Sequence, residues 1–139
     1  MKKQLVCILG IVVLVLWACK TEPEPTEEEN LYSATRDWFN TFINATSFQK
    51  DTMLSDVSTN PRTWCGKVYD VKQVNTNEYE ITLDFDSGDI GAPNIHMTTH
   101  NQSTANSAAD KKGNLFSAKN KGIVTYYHYI YHNIYFEID

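Results

Sequence analysis

No stretch of this 139-residue chain has the twenty or so apolar residues that a membrane-spanning helix needs. The longest apolar run, Leu5 to Ala18, has the length of a secretory leader, and the acidic, proline-bearing stretch after it contains nothing that could prolong a span. Cysteine is scarce, with three in all. If the leader is removed, Cys7 leaves with it and Cys65 is the only thiol in the folded part, which excludes an intramolecular disulfide framework. Basic charge is scarce as well: 12 Lys and Arg stand against 17 Asp and Glu, for a net charge of −5. Loss of Lys2 and Lys3 with the leader takes −5 to −7, whereas nucleic-acid binders present a concentrated basic footprint. Lys111, Lys112, Lys119 and Lys121 form the one basic cluster and read as a solvated loop, so no nucleic-acid partner is expected. There is no Gly-rich phosphate loop, no nucleophile elbow and no internal repeat.

The basic start Met1-Lys2-Lys3, the apolar run, and the tetrad Leu16-Trp17-Ala18-Cys19 together resemble the lipobox of bacterial lipoproteins. The resemblance implies removal of residues 1–18, lipidation of Cys19 and attachment to the membrane through acyl chains. Each buried CH₂ contributes about 0.8 kcal/mol, so two or three chains anchor a protein permanently where one does not. Residues 20–30 hold five glutamates and two prolines and no apolar side chain. That composition predicts a disordered, extended spacer over 19–30. Acidic residues directly after the cysteine also resemble the export signal of some outer-membrane lipoproteins in the Bacteroidetes, which implies the outer membrane, facing the periplasm or the surface.

The remainder, 31–139, is roughly 110 residues, enough for one domain and too short for two. Leu31 to about Phe48 reads as an amphipathic helix with Leu31, Ala34, Trp38, Phe42, Ala45 and Phe39 on its apolar side. Residues 49–61 read as a polar connection closed by Asn60-Pro61. Trp64 to Val74 reads as a long twisted strand with Trp64, Gly66 and Val68 on one face. In the next strand Tyr79, Ile81, Leu83 and Phe85 alternate with polar residues. Ile95 to Thr99 makes a third strand, and Ser103 to Lys112 a short helix ended by Gly113. Leu115 and Phe116 read as an apolar plug. Ile123 to Tyr131 and His132 to Ile138 form a terminal hairpin with Ile134, Phe136 and Ile138 on one face.

The order helix, three strands, short helix, two strands, with Gly66-Lys67-Val68 in the first strand and Lys121-Gly122 opening the fourth, resembles a five-stranded OB-fold barrel. It is most similar to small tRNA-anticodon-like OB domains of bacterial lipoproteins, in which a leading helix precedes the barrel. The expected class is therefore α+β, mostly β. An NTF2-like α+β cone is the alternative, and it needs more helix between residues 49 and 64 than the sequence offers.

Candidate chemistry is sparse. Asp84, Asp86 and Asp89 surround Ser87-Gly88 but lack the spacing and distal Glu of an EF-hand, and read as an acidic turn. His96 and His100, four apart on a strand, lie about 13 Å from each other, and His128 opposite His132 supplies only two ligands, so no metal site is expected. Cys65 reads as a small buried hydrophobe. The densest feature is residues 126–135, with five of the eight tyrosines. On a two-sided hairpin alternate aromatics face outward, and Tyr offers contact area with a polar tip. Tyr127, Tyr129, Tyr131 and Tyr135 are thus the candidate binding residues. They suit an envelope protein, peptide or glycan, with no cofactor and no catalytic residue assigned. The competing expectation is a small-ligand-binding or hydrolytic enzyme, which requires His128, His132 and an Asp to converge.

Overall fold

The computed structural model describes residues 23–85, 94–128 and 132–139, and of Asn94, Tyr127 and His128 only the backbone. Helix α1 (Glu27–Asn44) begins four residues earlier than its apolar pattern suggests. The cause is a capping box: the Thr26 side chain accepts from the Glu29 N–H at 3.2 Å, and the Glu29 carboxylate accepts from the Thr26 N–H at 2.7 Å. Glu27, Glu28 and Glu29 also place negative charge at the positive end of the helix dipole. The end of the acidic stretch expected to be disordered spacer is therefore helical. Burial falls on Thr35, Phe39 and Phe42, with Tyr32, Trp38 and Ile43 packed beside them, while Ala34 is exposed.

A second helix, α2 (Ser47–Thr59), occupies the stretch expected to be a polar connection. It opens on another capping box, in which the Thr46 N–H donates to Gln49 Oε1 at 2.9 Å. Val57 is its only fully buried residue, and Phe48 stands 80 % exposed. Its four large apolar residues, Phe48, Met53, Leu54 and Val57, do not form a continuous stripe, so no apolar periodicity announces it.

Strands β1 (Thr63–Asn75), β2 (Glu78–Asp84) and β3 (Asn94–Thr99) form an antiparallel meander, and helix α3 (Gln102–Asp110) leads into β4 (Leu115–Lys119). β5 (Lys121–His128) and β6 (His132–Glu137) form the expected hairpin, and β6 pairs in parallel with β3. The result is an α+β chain whose six strands, in the order β4-β1-β2-β3-β6-β5, curl into a half-barrel. Leu115-Phe116, read as a plug, opens a strand instead. Six strands rather than the expected five arise because the chain changes partner at Asn120: β4 pairs with β1 and β5 with β6. Gly122, at φ +68°, supplies the left-handed residue where this change of direction occurs.

The inward face carries Trp64, Val68, Ile81, Leu83, Phe85, Ile95, Met97, Phe116, Val124, Ile134, Phe136 and Ile138, closed by Phe39 of α1. Period-two alternation dictates this selection, since residues 81, 83 and 95, 97 and 134, 136 each lie on one side of a strand. Trp64 is the hub, edge-on to Trp38 at 4.8 Å between ring centroids and 5.4 Å from Phe136. Gly66 lies against β2, where a Cβ would come within 2.9 Å of Leu83 Cβ.

Asn120 is 2 % exposed and joins three elements. Its Oδ1 accepts from the Arg62 N–H at 2.8 Å and from Trp64 Nε1 at 3.0 Å. Its Nδ2 donates to the Val57 carbonyl at 3.0 Å, one of the last four carbonyls of α2, which have no partner within the helix. Asn120→Ala removes all three bonds and strands buried partners, so a loss of about 2–4 kcal/mol is expected in urea unfolding. A loss under about 1 kcal/mol would contradict that role. Gly66→Ala should cost about 1–3 kcal/mol by overpacking against Leu83, read in the same titration.

Candidate functional site

The face opposite the core is built by the same alternation. Glu80 and the buried Thr82 of β2, His96 of β3, and Asn133 and Tyr135 of β6 alternate with the apolar core residues of their strands. Register brings them together: Thr82 faces His96, and the parallel β3–β6 pairing sets His96 against Tyr135. The imidazole lies flat on the phenol ring, 4.4 Å between centroids and 9° between planes. Sequence alone gives no sign of this contact, because parallel pairing of β3 with β6 is non-local.

Glu80 anchors the polar half of the face. Its Oε1 lies 2.7 Å from Lys72 Nζ and 3.3 Å from His96 Nδ1. Burial opposes its ionisation, yet the Lys72 hydrogen bond and the charges of His96 and Lys72 outweigh burial and hold the carboxyl below its ordinary value. The bond to Glu80, reinforced by that carboxylate's charge, raises Lys72 in return. Because an ionised carboxylate only accepts, Nδ1 carries the proton in the neutral imidazole and Nε2 is left as an acceptor. Thr82 Oγ1 sits 3.4 Å from the same Nδ1. His96 Nε2 is buried without a hydrogen-bond partner among the described residues, and so is Asn133 Oδ1. Asn133 Nδ2 donates to the Tyr135 hydroxyl at 3.5 Å, so both orphaned atoms belong to side chains that touch the same ring.

Of the four tyrosines expected to bind, Tyr135 is half-buried on this face. The Tyr127 backbone pairs with Asn133, while its side chain, and Tyr129 and Tyr131 entirely, lie outside the described residues, as does Cys19. Tyr126 turns to the other side: its ring packs edge-on to Phe42 at 4.7 Å and its hydroxyl bonds His132 Nδ1. Burial raises its phenol above the ordinary range. Backbone register sets His128 opposite His132. His96 and His100 are not brought together, since His100 Nδ1 lies 3.1 Å from the Asn77 carbonyl oxygen. Asp84 is partly buried, and Asp86 and Asp89 lie outside the described residues. No three His, Cys, Asp or Glu side chains converge among the described residues.

Lys111 pairs with Glu28 at 2.8 Å, Lys112 with Asp70 at 4.0 Å and Lys121 with Asp139 at 3.4 Å, so three of the four lysines of the basic cluster are spread over separate acidic partners. Cys65 is fully buried, with Sγ 3.6 Å from the Glu28 carbonyl oxygen. Burial, with the Glu28 charge behind it and Lys111 opposing, pushes its thiol up to about 11. A cleft of about 750 Å³ opens where α1 meets α2, lined by Asn40, Ala45, Phe48 and Met53 among others. No titratable side chain lines it, so its volume does not coincide with the chemistry, which lies on the outer sheet face. No protein-family profile matches the chain, and no curated protein or solved structure shows significant similarity to it.

A folded-state value below the ordinary 4.5 means that Glu80 adds stability above that pH and loses it as pH falls through the lowered value. The stability gap between wild type and Glu80→Gln should be about 0.5–1.5 kcal/mol near neutrality and close in acid. Urea unfolding across the acid range checks this. A gap independent of pH would contradict it.

Proposed function

We propose that the chain is a lipid-anchored, non-enzymatic binding module of a bacterial cell envelope, held in the outer membrane by acyl chains on Cys19. The basic start, the short apolar run and the Leu16–Cys19 tetrad support the anchor. We further propose an OB-like barrel. Its support is the position of α3 between the third and fourth strands, and the fact that the two edge strands of the sheet, β4 and β5, are consecutive in the chain. Read as one strand kinked at Asn120, they give five strands in a ring. One observation favours the NTF2-like alternative, namely that α2 supplies helix between residues 49 and 64. The placement of α3 weighs toward the barrel.

The observation that carries the binding reading is the outer face itself. A half-buried Tyr135 lies on His96 beside two buried polar atoms without partners, on strands whose other side is fully committed to the core. Packing alone gives no reason to orphan two polar atoms there, since each costs about 1–3 kcal/mol. A partner that binds the face through Tyr135 explains both the ring and the atoms.

Two measurements test this. Cells fed an alkyne-bearing palmitate should label the protein, and Cys19→Ala should abolish labelling and release the chain from the membrane fraction; persistent label would contradict the anchor. A photocrosslinking residue placed at Tyr135 should yield adducts of higher mass in intact cells, whereas one at the exposed Thr59 should not. Equal yields at both would contradict the face.

A further inference from the structure

The two orphaned atoms define what the face takes. In the neutral imidazole, with Nδ1 donating to Glu80, His96 Nε2 is an acceptor, and Asn133 Oδ1 is an acceptor by nature. Both belong to side chains that touch Tyr135, so a ligand that satisfies both must bring two donors to that ring. Charge narrows the choice further: Glu80 and Lys72 neutralise each other at 2.7 Å, so the face selects neither strong acids nor strong bases. Backbone geometry excludes an extended peptide as the natural fit. β3 lies between β2 and β6, and β6 between β3 and β5, so their main-chain groups are used within the sheet and leave none for an added strand. What remains is an uncharged ligand with adjacent hydroxyls and an apolar face to lie along an aromatic ring.

We infer that the His96–Tyr135–Asn133 cluster is a saccharide subsite, in which a vicinal hydroxyl pair donates to His96 Nε2 and Asn133 Oδ1 beside the Tyr135 ring. This rests on the reading of the outer face as a binding surface and names its ligand class. Glu80 acts as the positioning residue, because its carboxylate keeps the proton on Nδ1 and so keeps Nε2 an acceptor. His96 is 14 % exposed at its side chain, so a ligand reaches Nε2 through a side-chain rearrangement. Tyr135, the half-buried ring lying over the imidazole, is the side chain that makes it.

The test uses the full lipidated chain in detergent micelles, with ¹⁵N-labelled histidine, titrated separately with maltohexaose, chitohexaose and mannohexaose, and with a hexa-alanine amide as the peptide arm. At least one oligosaccharide should shift the His96 Nε2 resonance saturably. His96→Phe, which keeps the stack but loses the acceptor, and Asn133→Leu should each weaken that binding at least tenfold, with circular dichroism unchanged. Glu80→Gln should weaken it and move the His96 resonances toward the other tautomer. Most pyranose rings in the set carry a vicinal diol, so no response from any of the three overturns the inference. A response to the peptide alone also overturns it. In either case adducts that persist at Tyr135 in cells leave the binding face standing, while their loss removes the face as well.

Discussion

The arrangement of this domain depends on one buried carboxamide. Asn120 sits where the chain leaves β1's edge and joins β6, and a polar group at such a place must find partners or cost the fold a few kcal/mol. It finds three: the Arg62 N–H, the Trp64 indole and the last-turn carbonyl of Val57. Through these it ties the end of α2 to the start of β1 and holds the indole of Trp64, the largest fully buried side chain. With Trp64 held, Trp38 and Phe136 pack on it from two sides. Asn120 thus links α2 directly, and α1 through the Trp64–Trp38 contact, to the edge where the sheet changes partner.

From that closure comes the outer face. A sheet that commits one side to the core leaves the alternate residues for solvent or partners. Here those residues do not form the scattered polar surface that suffices for solubility. They form a connected chain, Lys72 to Glu80 to His96 to Tyr135 to Asn133, with successive contacts of 2.7, 3.3, 4.4 and 3.5 Å. Each member orients the next: the ammonium holds the carboxylate ionised, the carboxylate fixes the imidazole tautomer, and the imidazole supports the phenol. Two members of this connected chain, His96 at its middle and Asn133 at its end, each keep a buried polar atom without a hydrogen-bond partner among the described residues, and the proposed ligand rests on that incompleteness.

What could be read from the residues followed the strength of their periodicity. The alternation in β2 and β6 was legible because each puts large apolar side chains at every second position, and Ile81, Leu83, Ile134, Phe136 and Ile138 are all buried. Helix α2 escaped because it buries only Val57 fully. Its signal was local: Thr46 followed by Gln49 is a capping box, as is Thr26 followed by Glu29, and reading both would have placed two helix starts. The strand count differed because a partner change at a single Asn leaves no mark in hydropathy. At the candidate site, tyrosine density drew attention to the β5–β6 hairpin, of whose four named tyrosines Tyr135 stands on the outer face. Considered only as metal ligands, the histidines concealed the contacts of His96, whose neighbours Glu80 and Tyr135 come from strands 16 and 39 residues away in the chain.

If the outer face binds a ligand, the half-buried Tyr135 is covered in the cell and partly accessible in the free protein. Hydroxyl-radical footprinting of the protein in intact cells and after purification tests it most directly. The account predicts that Tyr135 is oxidised in the purified protein and protected in cells, while exposed Phe48 reacts equally in both. Equal oxidation of Tyr135 in the two states would contradict it.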